Sequence, residues 1–228
     1  IGDPLNVFEE RLQTLKSKGF KAIVGLKPRR QQDIIERMKI AANAGVVAFT
    51  IDLDSAGRAA RATKGQTVEP KTPEQLRELV KASPLPLFFK GILTTDEALL
   101  CLNAGAAGIV VSNHGGRVLA DEPGTAEVLP VIADAIHGRC MILVDGCVKR
   151  GTDVEKYIAL GADACLAGRH FVRGAHGALA DGVELFANTI RNELAVAMTL
   201  TGAAKVKDIN RKMIRMTTPP PLAFGVPA

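Results

Sequence analysis

Apolar runs of strand length recur along this chain with helix-period segments between them, and that alternation constrains its fold more than any other feature. The runs fall at Phe20–Leu26, Val46–Asp52, Leu87–Gly91, Gly108–Asn113, Met141–Gly146 and Ala164–Arg169. Between them lie amphipathic segments at Arg30–Ala44, Pro73–Ala82, Thr95–Ala104, Thr125–Ile136 and Thr152–Leu160, with a last long one over Gly182–Thr199. Strands apolar on both faces that alternate with helices belong to a parallel sheet covered on both sides. The local signals agree. Thr72-Pro73-Glu74-Gln75 combines an N-cap, a proline at the first helical position and a capping-box glutamine. Thr94 or Thr95 caps the next helix, with Asp96 and Glu97 complementing its dipole. Gly45, Gly105 and Gly161 follow helix ends, where a left-handed cap is needed.

The units are short and regular, with polar or glycine-rich residues at the strand exits. This predicts a (β/α)8 TIM barrel, whose chemistry gathers on the C-terminal face of the strands, with a doubly wound sheet as the alternative. Six βα units are present where a closed barrel has eight. We therefore expect two further units upstream of Ile1. The domain expected is a partial barrel over residues 1–216, followed by a proline-rich tail over 217–228.

Bulk properties exclude several classes of function. At 228 residues the chain is large enough for one substantial core. No stretch reaches the roughly 18 apolar residues of a membrane span, and no signal-peptide pattern opens the chain. The net charge of +5 is scattered, and one tyrosine with no tryptophan leaves little to stack nucleic-acid bases. The basic excess suits small anionic ligands instead. Cys101, Cys140, Cys147 and Cys165 have no CxxC spacing, which predicts reduced thiols in a cytoplasmic protein and no metal site.

Five strand exits carry residues that a buried strand does not need. They are Thr50 and Asp52; Lys90-Gly91; Ser112-Asn113-His114-Gly115-Gly116-Arg117; Asp145-Gly146-Cys147-Val148-Lys149-Arg150-Gly151; and Gly168-Arg169. Each has an ordinary structural reading: Asp52 as a helix cap, Lys90 as a snorkelling amine, Asp145 paired with Arg150, Arg169 solvated, and the His114 segment as a polar turn. In a barrel all five exits share one rim, so their joint occurrence points to a site. The glycines Gly146 and Gly168 with Lys149 and Arg169 form a candidate phosphate cradle.

With these elements the chain resembles the FMN-dependent α-hydroxy-acid oxidase and dehydrogenase family, which includes glycolate and lactate oxidases. The likeness runs from about Ala22 to Ala203 and is strongest at the Lys90, His114, Asp145 and Gly168 segments. It implies that a 2-hydroxy acid is oxidised to the 2-oxo acid by hydride transfer to flavin N5. His114 would be the base and Arg117 the carboxylate-binding residue, both touching substrate. Asp52 would orient the imidazole, and Lys90 would stand beside the flavin N1–O2 edge. Thr50, Ser112, Asp145, Gly146, Cys147, Lys149, Gly168 and Arg169 would hold FMN. A homo-oligomer, tetramer or octamer, is likewise implied.

The chain departs from that pattern. Ala22 and Val24 stand where a glutamine and a tyrosine are expected, Ala59 where an arginine is expected, and Cys147 where a glycine is. Each lost hydrogen-bond partner to a buried carboxylate costs about 1–3 kcal/mol. A degenerate or non-catalytic FMN-binding barrel is one alternative reading, and another FMN barrel enzyme such as a flavin-dependent isomerase is a second.

Overall fold

The computed structural model describes residues 5–57 and 67–216. The departure at Ala59 and the tail over 217–228 lie outside the described residues. Two compact units divide the chain, one of Ile1–Ile92 with Asp96–Val110, the other of Leu93–Thr95 with Val111–Ala228.

In the first unit, α1 (Leu5–Ser17) precedes β1 (Ala22–Leu26), α2 (Gln31–Ala42), β2 (Val46–Asp52), a 3-10 turn (Leu53–Gly57), α3 (Pro73–Ala82), β3 (Leu87–Ile92), α4 (Thr95–Asn103) and β4 (Gly108–Val111). Neighbouring strands follow chain order, β1-β2-β3-β4. The β1/β2 and β2/β3 pairs are parallel, with Gly25 opposite Thr50 and Asp52 opposite Lys90. That order lacks the reversal of a doubly wound sheet and matches a barrel wall. Val24, Phe49, Ile51 and Phe89 are fully buried among Ile34, Met38, Leu76 and Leu79 from the helices. The expected capping box opens α3: Thr72 Oγ1 accepts from Gln75 N–H at 3.3 Å, and Gln75 Oε1 accepts from Thr72 N–H at 2.9 Å. Helix α1 was not expected from the strand–helix pattern. It buries Phe8 and Leu12, and the Arg37 guanidinium lies over the Phe8 ring at 5.5 Å.

In the second unit, α5 (Thr125–Ile136), β5 (Met141–Val144), α6 (Gly151–Leu160), β6 (Ala164–Cys165) and α7 (Arg169–Thr201) follow. β5 and β6 are parallel, with Leu143 opposite Ala164, and Asp145 N–H donates to Val111 O at 3.1 Å. Three strand expectations shorten here. β4 ends at Val111 rather than Asn113, β5 at Val144 rather than Gly146, and β6 at Cys165 rather than Arg169. For β4 and β5 the cause is left-handed backbone just beyond the strand, at His114, Gly146 and Cys147, which no ladder accommodates. For β6 it is the early start of α7, with Gly168 as N-cap and Arg169 already helical.

Helix α7 begins well before the expected Gly182. Its backbone breaks at Ala178 and at Leu179 (φ 49°, ψ −126°), so it is two helices joined by a kink. A Cβ placed on Gly182 would lie 2.1 Å from Gly174 O, so the two helices meet backbone to backbone. Beyond α7, Ala203 and Ile209 pack on Ala159 with Leu194, Met198 and Met213. Arg211 then donates to Asp134 at 2.9 Å, to Pro130 O at 3.0 Å and to Leu160 O at 3.3 Å. Among the described residues no helix is long and apolar enough to cross a membrane.

Gly151 opens α6 against the α7 backbone, where an added Cβ would lie 2.0 Å from Leu194 N and 2.5 Å from Ile190 O. Neither atom can rotate aside. Gly151→Ala is expected to cost about 1–3 kcal/mol or more, as overpacking generally does. The midpoint of urea unfolding measures it, and an unshifted midpoint would show that α7 yields at no cost.

Candidate active site

In the first unit the candidate residues occupy the exits of β2 and β3. Parallel register sets Asp52 beside Lys90 at the last rungs of that ladder, and Thr50 lies two residues earlier in the buried run of β2. Thr50 and Asp52 are both buried. A further residue, not singled out from the sequence, joins them: Lys27, directly after β1, forms an ion pair with Asp52 and lies 3.4 Å from the buried Ser55 hydroxyl. Its signal was the same as that of Lys90, a lysine at a strand exit. Asp52 is thus a paired carboxylate rather than a helix cap. The positions expected to hold a glutamine and a tyrosine carry Ala22 and Val24, and Val24 is fully enclosed in the core.

In the second unit the Ser112–Arg117 segment builds itself into a rigid turn. Ser112 is fully buried, and its Oγ accepts from His114 N–H at 3.1 Å. Asn113 Oδ1 accepts from Gly115 N–H at 3.0 Å, and Asn113 O accepts from Gly116 N–H at 2.8 Å. Three consecutive residues, His114, Gly115 and Gly116, have φ of 52°, 70° and 69°. A left-handed histidine costs about 1 kcal/mol or more, and glycine is the residue that extends such a turn cheaply. The hydrogen bonds offset that cost and hold the buried His114 in place. Arg117 is exposed, and its Nε donates to His114 O at 3.0 Å, which leaves the two terminal nitrogens as a fork suited to a carboxylate.

The Arg169 guanidinium lies against the same turn: a Cβ on Gly115 would sit 2.8 Å from Arg169 Nη2. This brings the arginine of the expected phosphate cradle beside the histidine loop. Around His170 three cations outnumber the one carboxylate, Asp153. The His170 imidazole is held below its ordinary range, first by desolvation and then by the neighbouring Arg173, Lys149 and Arg169. His170, Arg173 and the helix start that carries them were not identified from the sequence, because Ala164–Arg169 was read as strand.

The start of α6 is not the anion site that its position suggests. Lys149 N–H and Arg150 N–H donate to Asp153 Oδ2 at 3.0 and 3.1 Å, and Gly151 N–H donates to Glu193 Oε2 at 2.8 Å. Those carboxylates already satisfy its first amides. The residues expected to cradle a phosphate stand one step earlier, in Asp145-Gly146-Cys147, and at the start of α7, where nothing lies within 4 Å of a Cβ built on Gly168. Gly146 has φ of 122° and Cys147 φ of 59°. Two buried hydroxyls bracket this turn. Thr125 Oγ1 donates to Asp145 O at 2.6 Å, Tyr157 O–H donates to Gly146 O at 2.7 Å, and the two oxygens are 2.9 Å apart. The sequence marked Thr125 only as a helix start and Tyr157 only as the single tyrosine.

The chain is similar to several known proteins. A family model described as FMN-dependent dehydrogenase matches residues 6–216. The L-lactate oxidase of Lactobacillus jensenii is 42% identical over 154 residues, covering 68% of this chain and 37% of that protein. An L-lactate dehydrogenase of Yersinia pestis is 47% identical over 132 residues, 58% of this chain and 35% of that one. A crystal structure of mandelate oxidase with 3,3-difluoro-2-hydroxy-3-phenylpropionic acid superposes with a TM-score of 0.80 at 33% identity, covering 88% of this chain and 65% of that one. The chain thus spans little over a third of the curated relatives that it matches. Its six parallel strands are part of a (β/α) barrel like those neighbours.

Two measurements check this geometry. Lys27→Met leaves a largely buried carboxylate without its cation and should lower stability by about 1–3 kcal/mol. The double variant Lys27→Met/Asp52→Asn should lose less than the sum of the single variants, by a coupling of about 0.5–3 kcal/mol. Strict additivity in denaturant melts would mean that the pair does not form. Iodoacetamide at neutral pH should label the exposed Cys147 first. Cys165, whose thiol burial and Asp153 push up to about 12, should react only on unfolding. Peptide mass spectrometry reads the order.

Proposed function

Because the chain belongs to the FMN-dependent dehydrogenase family, we propose that it carries the chemical face of an oxidoreductase that converts a 2-hydroxy acid to the 2-oxo acid. The observation that carries this reading is the His114 turn, a buried imidazole on a hydrogen-bonded left-handed loop with Arg117 tied to its carbonyl and Arg169 against Gly115. A buried polar turn of that kind needs neither a histidine nor two arginines to fold.

The chain's own residues fit FMN. The phosphate suits the turn at Asp145, Gly146 and Cys147, the open backbone at Gly168, and the cations Lys149 and Arg169. Thr50 and Lys90 at the exits of β2 and β3 are assigned to the ring. Ser112 supports from behind, since its hydroxyl accepts from the His114 amide. When bound, the flavin supplies the two-electron acceptor for hydride leaving the substrate carbon. His114 takes the hydroxyl proton, a contribution of ~10²–10⁴-fold for a positioned base. Arg117 holds the substrate carboxylate through its terminal nitrogens. Lys90 supplies fixed positive charge where negative charge develops. Asp52, which the family resemblance pairs with the imidazole, already shares its charge with Lys27.

A second reading, a barrel that binds FMN without turning over, is favoured by the apolar Val24 and by Ala22, which thin the substrate clamp. The four free thiols suit a reducing cytoplasm. The exposed Leu185, Val196 and Leu200 on α7 suit a homo-oligomer.

Anaerobic addition of lactate, glycolate or mandelate to the full-length protein should bleach its flavin spectrum. His114→Ala should slow that bleaching by ~10²–10⁴-fold. A flavin spectrum that no hydroxy acid bleaches selects the non-catalytic reading, and an unaltered rate in His114→Ala would falsify the base assignment.

A further inference from the structure

We infer that Thr125 and Tyr157 are positioning residues for anion binding: their hydroxyls turn the Asp145–Cys147 backbone into a phosphate-binding nest. The argument is one of peptide geometry. In a planar trans peptide the C=O and the following N–H point in opposite directions. Thr125 holds Asp145 O on the buried side at 2.6 Å, so Gly146 N–H points away from it. Tyr157 holds Gly146 O on the same side at 2.7 Å, so Cys147 N–H points away as well. Thr125 and Tyr157 are both buried, whereas Cys147 and Lys149 are exposed. Two successive amides therefore face the exposed, cation-bearing side, which is the arrangement that binds phosphate oxygens.

The turn cannot hold this shape unaided. Its φ values of 122° and 59° are left-handed, and the second falls on a cysteine. Nor does Gly146 tolerate replacement, since a Cβ there would meet Thr125 Oγ1 at 2.2 Å and Tyr157 Oη at 2.9 Å. The hydroxyl pair and the missing side chain are two halves of one fit. The start of α6 does not substitute for the nest, because Asp153 and Glu193 occupy its first amides. Burial pushes the Tyr157 phenol above its ordinary range, so it stays a donor through neutral pH.

This inference rests on the flavin reading only for what the phosphate is attached to. The test compares FMN with riboflavin, which lacks the phosphate, by flavin-fluorescence titration of the full-length protein. Tyr157→Phe and Thr125→Val should each weaken FMN about tenfold, the worth of one well-placed hydrogen bond. Riboflavin affinity should not change, and Thr125→Ser, which keeps the hydroxyl, should bind FMN like the parent. Equal weakening of FMN and riboflavin, or no weakening of either, overturns the inference while leaving the flavin reading intact. In this 228-residue chain Tyr157 is the only tyrosine and there is no tryptophan, so the emission of the chain itself reports this one side chain. Should the parent bind no flavin, a change of that emission with inorganic phosphate that Thr125→Val abolishes sustains the nest and removes the flavin reading. An emission indifferent to phosphate in that case overturns both.

Discussion

Where a parallel ladder stops, the backbone must leave the extended region, and how it leaves decides what the exposed end can do. Here the exits of β4 and β5 leave through left-handed conformations at His114, Gly146 and Cys147. Such residues each cost about 1 kcal/mol or more where a Cβ is present. They persist because side chains hold the loop: the buried Ser112 and the half-buried Asn113 at the first exit, the buried Thr125 and Tyr157 at the second. Remove those hydrogen bonds and the strained conformers have nothing to outweigh their cost. The reactive-looking groups are thus consequences of the supports beneath them.

The two units use different physics for the same end. In the first, charge meets charge at the last rungs of the sheet, with Lys27 on Asp52 and Lys90 opposite it in register. Partial burial makes that pairing count for more than a surface ion pair, whose worth is about 0–1 kcal/mol. In the second, neutral hydroxyls and amides fix the backbone, and the cations Lys149, Arg169 and Arg173 stand outside it.

Much of this was legible in the residue pattern. Five of the six strands and their helices stand close to where apolar periodicity puts them, because buried parallel strands must be continuously apolar. The Thr72 capping box was readable because it is local. The errors also have physical causes. Ala164–Arg169 looks like strand, yet it stops at Cys165, since Gly168 opens a helix whose start depends on tertiary packing. Lys27, Thr125 and Tyr157 escaped notice for a common reason. Each acts on a partner 20 or more residues away in sequence, except Tyr157 on Gly146, 11 residues away but reached across a turn. The candidate residues at strand exits were found because topology alone places them. Thr125 and Tyr157 lie at a helix start and in a helix interior, where the sequence shows only helix, whereas Lys27 stands at a strand exit as Lys90 does.

The meeting of Gly174 with Gly182 bears on how such a chain changes over generations. Where Gly174 meets Gly182 the contact is main chain on main chain, and no side chain at that point could shrink to admit a newcomer. A methyl group on one glycine finds the other's carbonyl in its place, and only a shift of the whole helix answers it. A substitution at either position therefore has to be answered by the other helix, across the kink at Ala178 and Leu179.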